Sequence, residues 1–238
     1  MARTIAIVNQ KGGVGRTTAT VSVAASIARS GLRVLLVDLD PQGNATMGSG
    51  IDKRALPQTV YHVLLGLATI ERARARSESG GFDVLPANRE LAGAEIELVD
   101  LENRETRLKS ALALVADRFD FILIDCPPSL SLLTLNGLAA AQAVVIPMQC
   151  EYYALEGLSD LVNTIRKVRQ TINPSLEIEG LLRTMFDPRN TLSQQVADQL
   201  QQHFGSKVYN TVIPRNVRLA EAPSHGHPAI CYDESSKG

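Results

Sequence analysis

A glycine-rich run follows the first apolar segment of the chain and has the composition of a phosphate-binding loop. The run consists of Lys11, Gly12, Gly13, Val14, Gly15, Arg16, Thr17 and Thr18. Glycines between a strand and a helix let successive backbone N–H groups point at one anion, and the helix dipole adds positive potential. We therefore expect this run to bind nucleotide phosphates, with the Thr17 hydroxyl placed to ligate Mg²⁺; the alternative is a tight turn with chance glycines.

Two aspartates lie where apolar segments end and could also do chemistry. Asp40 follows a predicted strand at Arg33–Asp38, and Asp125 ends another at Phe121–Asp125. Carboxylates at the carboxyl edge of a parallel sheet face the crevice in which ligands bind. The alternative is that Asp38 or Asp40 only caps the turn that follows, and for Asp38 both interpretations stay open.

Short apolar runs alternate with segments of helical period, which predicts an α/β fold with a mainly parallel central sheet and helices on both faces. Predicted strands are Thr4–Asn9, Arg33–Asp38, Phe82–Leu85, Phe121–Asp125, Ala143–Pro147 and Ile178–Thr184. Predicted helices are Arg16–Ser30, Arg104–Arg118, Ser129–Ala141, Leu155–Thr171 and Leu192–His203. The segment Ser49–Gly81 has the weakest core pattern and is predicted to be a surface excursion.

Length and composition are those of an ordinary globular chain. The 238 residues are 45% hydrophobic and 21% charged, which predicts a single domain over residues 1–238. The chain stops on a turn-like sequence, which leaves open that a closing C-terminal helix is missing. A net charge of −1 excludes a polycation that coats nucleic acid by bulk charge, so DNA binding would need a local patch.

Other features of the sequence indicate a cytoplasmic protein. The N-terminus has no signal-peptide pattern, and the most apolar long window, Leu132–Met148, is interrupted by polar residues and a proline. Three widely spaced cysteines suggest neither a disulfide framework nor a metal site. They are Cys126, Cys150 and Cys231.

The glycine-rich run departs from the standard phosphate loop G-x-x-x-x-G-K-[ST], because Gln10 and Arg16 stand where that motif has glycine and lysine. With Lys11 near its start, it resembles the deviant Walker A loop K-G-G-x-G-K-[ST] of the ParA/MinD ATPases, a group of the P-loop NTPase class. Three further segments are similar to motifs of that family, namely residues 38–44, 121–128 and 214–224. Together they identify the chain as a member of the ParA (Soj-like) partitioning family.

The resemblance implies roles for particular residues. Lys11 would reach across an ATP-bound homodimer to the partner's phosphates, where a cation neutralises charge on the transferred group; the alternative is a solvated loop lysine. Asp40 would orient or deprotonate the attacking water, and Asp125, with Asp40 and Thr17, would belong to the Mg²⁺ site.

The resemblance also assigns the adenine site. Pro214 would pack on the face of the base and Asn216 would read its edge. The alternative is a Pro-Asn turn before a short helix that starts at Val217.

Arg16 is the residue that does not match the family pattern. A guanidinium is wider than the compact ammonium that the loop normally holds. We therefore predict weakened or misaligned ATP binding and strongly reduced hydrolysis.

Three arginines are candidates for DNA binding. Arg215 and Arg218 are three positions apart and share one helical face or turn, and Arg189 lies in another predicted loop. An ATP-bound dimer would bring two such patches together, so that binding to double-stranded DNA would be non-specific and nucleotide-gated. The alternative for each is an ordinary solvated arginine.

The family further implies a ParB-like centromere-binding partner that stimulates hydrolysis, and a nucleoid-associated location within the cytoplasm. A MinD-like ATPase at a membrane is a rival, but it needs a basic amphipathic C-terminal helix, and residues 233–238 do not read as one. We therefore expect no membrane partner. A second rival is a hydrolysis-defective binding module that Arg16 locks with nucleotide bound.

Overall fold

Segments rich in Val, Ile and Leu pair into one sheet of eight strands in the computed structural model, which describes residues 2–236. The strands are β1 (Arg3–Ile7), β2 (Val34–Asp38), β3 (Ala75–Ser77), β4 (Phe82–Leu85), β5 (Phe121–Asp125), β6 (Ala143–Met148), β7 (Glu177–Phe186) and β8 (Val208–Pro214). Their order is β3-β4-β2-β5-β1-β6-β7-β8, and every neighbouring pair is parallel except β3 with β4. The predicted mainly parallel sheet is confirmed.

Helices cover both faces of this sheet. They are α1 (Arg16–Arg29), α2 (Asn44–Gly48), α3 (Val60–Leu65), α4 (Ile70–Ala73), α5 (Leu91–Glu97), α6 (Arg107–Ala113), α7 (Leu132–Ala140), α8 (Ala154–Thr171), α9 (Thr191–Phe204), α10 (Val217–Glu221) and α11 (Ala229–Tyr232). Successive strand residues point to opposite faces, so Leu36 belongs to a core with Val21 of α1, whereas Leu35 belongs to a core with Leu64 of α3. Because the central strands are buried on both faces, their sequences are continuous apolar runs rather than alternating apolar and polar residues.

The strand register places the ends of three central strands side by side. Asp125 at the end of β5 lies opposite Ile7 of β1 on one side and Asp38 of β2 on the other. The loops after β1, β2 and β5 therefore leave the sheet at one edge, which is the edge where parallel α/β proteins bind ligands.

Two predictions about elements are wrong in part, and two strands were not predicted. The helix predicted over Arg104–Arg118 is shorter, because α6 covers Arg107–Ala113 and only a single 3₁₀ turn follows at 116–118. Strands β3 and β8 were not predicted, since β3 has three residues and β8 has a partly polar sequence. The segment Ser49–Gly81 is not a surface excursion, because it contributes α3, α4 and β3, and Val60, Leu64 and Ile70 are buried.

Met1, Lys237 and Gly238, which the predicted domain includes, lie outside the described residues. Across residues 2–236, none of the helices combines the length and apolar character that crossing a bilayer requires.

Candidate nucleotide-binding site

The loop between β1 and α1 has the backbone geometry of an anion cradle. Gly13 and Gly15 have φ values of 74° and 78°, which L side chains rarely adopt, and a Cβ added at Gly12 or Gly13 would meet no atom within 4 Å. Within residues 2–236, the backbone N–H groups of residues 12–15 donate no hydrogen bond. The first turn of α1 carries no acidic side chain, so unpaired N–H groups and the helix dipole face an open space together.

Neighbouring strands hold this loop in place. The Asn9 amide nitrogen donates to the carbonyl of Pro147 in β6 at 2.7 Å, and its side-chain oxygen accepts from the N–H of Lys11 at 2.9 Å. The Thr184 hydroxyl of β7 donates to the Val14 carbonyl at 2.7 Å, and Val14 itself is buried. Neither Asn9 nor Thr184 was predicted as a site residue; the only signal for Asn9 was its position at the end of the predicted strand Thr4–Asn9.

The start of α1 is bonded to the end of β5. The Thr17 hydroxyl donates to Asp125 Oδ2 at 2.8 Å, and the Thr20 hydroxyl donates to Oδ1 at 3.1 Å. Asp125 is fully buried, and burial raises its pKa to about 6, although Arg16 and the two hydroxyls act in the opposite direction. Thr17 and Asp125, both predicted for the Mg²⁺ site, are thus brought together.

Asp38 has a structural task at the same edge. Its carboxylate accepts from the N–H and the hydroxyl of Thr46 at 2.8 Å each and from the N–H of Asp40 at 3.1 Å. Thr46, which the sequence analysis missed, also accepts from the N–H of Ala87 at 2.9 Å. Burial, together with the nearby Asp125, raises the pKa of Asp38 to about 7. Asp38 therefore ties β2, α2 and the chain after β4 together.

Asp40 and Arg16 complete the cluster. Asp40 is 6% exposed, and its Oδ1 accepts from the N–H of Gln42 at 2.9 Å. Arg16 is 7% exposed; its Nη2 lies 3.7 Å from Asp40 Oδ2 and its Nε lies 3.9 Å from Asp125 Oδ1. The guanidinium is thus turned inward and contacts both carboxylates. Hydroxyl and carboxylate oxygens are the ligands that Mg²⁺ prefers, so Thr17, Asp40 and Asp125 suit that ion chemically.

Lys11 forms an ion pair with Glu151. Its Nζ is 2.5 Å from Glu151 Oε2, and the two side chains are 47% and 50% exposed. The ion pair links the phosphate loop to the segment before α8.

A cavity of about 460 Å³ adjoins the loop. Its walls include Gly15, Thr18, Pro214 and Asn216, so the structure brings the two residues predicted for adenine beside the phosphate loop. The Asn216 side-chain oxygen accepts from the N–H of Arg218 at 2.8 Å and starts α10 at Val217, as the turn interpretation expects. Its amide nitrogen donates to the Ser236 hydroxyl at 2.9 Å.

The three arginines predicted to bind DNA differ in their surroundings. Arg189 is paired with Asp187 at 3.0 Å, and Arg218 is paired with Glu221 at 3.0 Å. Arg215 is exposed and forms no ion pair within the described part of the chain.

Comparisons with known proteins identify the family. A family model described as "AAA domain" matches residues 2–178. The Soj protein of Bacillus subtilis, named a sporulation initiation inhibitor, is 56% identical over 238 residues, which are all of this chain and 94% of that protein. The chromosome partitioning protein ParA of Myxococcus xanthus is 52% identical over 236 residues, covering 99% of this chain and 83% of that protein. The chain belongs to the Soj/ParA family of chromosome-partitioning ATPases.

The fold of this Soj/ParA family member also matches solved structures. A Mycobacterium smegmatis protein named cobyrinic acid a,c-diamide synthase, crystallised with an ATP analogue and magnesium, is 43% identical with a TM-score of 0.86. The match covers 98% of this chain and 92% of that one. The predicted family and P-loop fold class are confirmed, and the ATP analogue and magnesium of that neighbour agree with the predicted cofactors, ATP and Mg²⁺.

Proposed function

We propose that this Soj/ParA family member is a partitioning ATPase that forms an ATP-dependent dimer and binds DNA without sequence preference. The observation that carries the proposal is the open cradle of amide groups beside the Thr17–Asp125 hydrogen bond, in a chain that aligns with Soj over its whole length. A ParB-like partner stimulates hydrolysis, and the DNA-bound dimer is associated with the nucleoid.

Each residue of the cluster has a task in the proposed reaction. The loop amides and Thr18 bind the nucleotide, while Thr17, Asp40 and Asp125 would hold Mg²⁺, which would supply charge stabilisation to the transferred phosphoryl group. Asp40 orients or deprotonates the attacking water from the carboxyl edge of β2.

Lys11 acts in trans in the proposed dimer. Its ion pair with Glu151 is about half exposed, and such pairs contribute less than about 1 kcal/mol. Exchanging Glu151 for the phosphates of the partner's nucleotide therefore costs little.

Arg16 makes hydrolysis slow in this chain. Its guanidinium contacts Asp40 and Asp125, and its Nη1 donates to the Asn9 carbonyl at 2.7 Å, so the charge is directed at the carboxylates. Lysine has a compact ammonium that reaches phosphate as a point charge. We expect Arg16→Lys to raise the rate of ATP hydrolysis at least about tenfold, equivalent to about 1.4 kcal/mol in the barrier.

Phosphate release under saturating ATP tests this proposal, with Arg33→Lys as the matched control because Arg33 is an exposed arginine paired with Asp120. Equal rates for the unmodified chain and Arg16→Lys would contradict the assigned effect of Arg16. Retained nucleotide without hydrolysis in the unmodified chain, together with hydrolysis by Arg16→Lys, would favour the locked binding module. That module is the second candidate, since Arg16 already contacts both carboxylates of the site.

Arg215 is the first arginine to test for DNA contact, because it is exposed and unpaired within residues 2–236, whereas Arg189 and Arg218 would first have to leave Asp187 and Glu221. We expect Arg215→Ala to weaken binding to all duplex sequences equally and to reduce the salt slope by about one. Arg33→Ala is the control. An unchanged slope would remove Arg215 from the DNA surface.

Two rival functions predict other partners. A MinD-like ATPase would bind lipid vesicles rather than DNA. The name of the Mycobacterium smegmatis neighbour describes amide synthesis, and an enzyme of that kind would have no requirement for DNA.

A further inference from the structure

Arg16 contacts the two carboxylates at which a divalent cation would bind. Its Nη2 lies 3.7 Å from Asp40 Oδ2, and its Nε lies 3.9 Å from Asp125 Oδ1. The side chain is 8% exposed, and its Nη1 is anchored by a 2.7 Å hydrogen bond to the Asn9 carbonyl. One unit of positive charge is therefore held against both carboxylates by the protein itself.

The Arg16 guanidinium uses only part of its capacity to donate hydrogen bonds. Its buried Nε has no hydrogen-bond partner within residues 2–236, and both carboxylate distances exceed hydrogen-bonding range. Asp125 meanwhile takes its two hydrogen bonds from Thr17 and Thr20. Arg16 is thus held by its hydrogen bond to Asn9 and by charge attraction to the two carboxylates.

We propose that Arg16 is an internal cation that keeps divalent ions off Asp40 and Asp125 in the nucleotide-free protein. A divalent ion at these carboxylates would lie close to the guanidinium charge. At the effective dielectric of a protein, unit charges about 4 Å apart repel strongly enough to change an affinity more than tenfold. This exclusion concerns the nucleotide-free protein and does not rest on the proposed function.

Mn²⁺ binding to the nucleotide-free protein tests the exclusion, with free Mn²⁺ measured by electron paramagnetic resonance at pH 8. We expect Arg16→Met, which keeps an unbranched chain but removes the charge, to bind Mn²⁺ at least about tenfold more tightly than the unmodified protein. The matched control, Arg33→Met, removes an exposed arginine and should leave Mn²⁺ affinity unchanged. Adding Asp125→Asn to Arg16→Met should abolish the gain.

Equal Mn²⁺ affinity in the unmodified protein and Arg16→Met would overturn the proposal, and so would a gain that survives Asp125→Asn. If Arg16→Met does not fold, Arg16→Gln offers the same loss of charge with a polar side chain, and the same two comparisons decide. The assay contains neither nucleotide nor DNA. Its failure is therefore distinguishable from failure of the proposed ATPase or DNA-binding function.

Discussion

Thr46 joins the carboxylate of Asp38 to the chain after β4, and Thr46→Val tests that role. Valine keeps the shape of threonine but lacks the hydroxyl, so the N–H of Ala87 loses its partner and Asp38 loses one of three donors. A buried group left unsatisfied costs about 1–3 kcal/mol, and bonds to charged groups lie toward the upper end. We expect Thr46→Val to lower the free energy of unfolding by about 2–4 kcal/mol at pH 8.

The loss in free energy of unfolding caused by Thr46→Val should depend on pH. The pKa of Asp38 is raised to about 7, so at pH 5 the folded protein holds this group protonated, and the lost hydrogen bond then involves a neutral acceptor. The penalty of Thr46→Val should be smaller at pH 5 than at pH 8 by about 1 kcal/mol.

Urea unfolding followed by far-ultraviolet circular dichroism measures both values, since the chain has no tryptophan. Thr46→Ser is the matched control, because it keeps the hydroxyl and loses only a methyl group, at a cost of about 1 kcal/mol. If the serine variant lost as much stability as the valine variant, or if the valine penalty were the same at both pH values, the assigned network would be wrong.

Two further predictions concern buried groups. Burial raises the pKa of Asp38 from 3.8 to about 7, so the folded state keeps a proton that the unfolded chain releases. The free energy of unfolding should therefore fall by up to about 4 kcal/mol as pH rises from about 4 to 7. In urea titrations Asp38→Asn should flatten this pH dependence, and an equally steep dependence in the variant would contradict the assignment. A Cβ at Gly137 would lie 2.7 Å from Cys126 Sγ, so Gly137→Ala should lower the free energy of unfolding by about 1–3 kcal/mol. A Cβ at Gly157 in α8 would meet no atom within 4 Å, so Gly157→Ala should be neutral or stabilising. Equal melting temperatures for the two alanine variants would refute this packing.

Local patterns were sufficient to predict six of the eight strands and the glycine-rich turn after β1. The strand at Phe121–Asp125 was predicted with its observed bounds, because its unbroken apolar run ends in aspartate and four of its five residues are buried. Gly13 and Gly15 were predicted as loop glycines, and both adopt the left-handed conformation that favours glycine.

Features that depend on distant parts of the chain could not be read from the sequence. The hydroxyl of Thr46 accepts from Ala87, 41 positions further along, and nothing in the local sequence of either residue indicates that contact. The inward turn of Arg16 depends on Asp40 and Asp125, which only the register of β2 and β5 brings to one edge. Such pairings follow from the order of the strands rather than from the periodicity of any segment.

Binding to a random-sequence DNA duplex, measured with ATP, ADP or no nucleotide for the chain and for Arg16→Lys side by side, tests the central claim most directly. We predict that DNA binding requires ATP, that Arg16→Lys strengthens it, and that it weakens steeply as salt rises. Absence of DNA binding by both proteins in every nucleotide state, or binding that is indifferent to nucleotide, would contradict the proposed nucleotide-gated partitioning function.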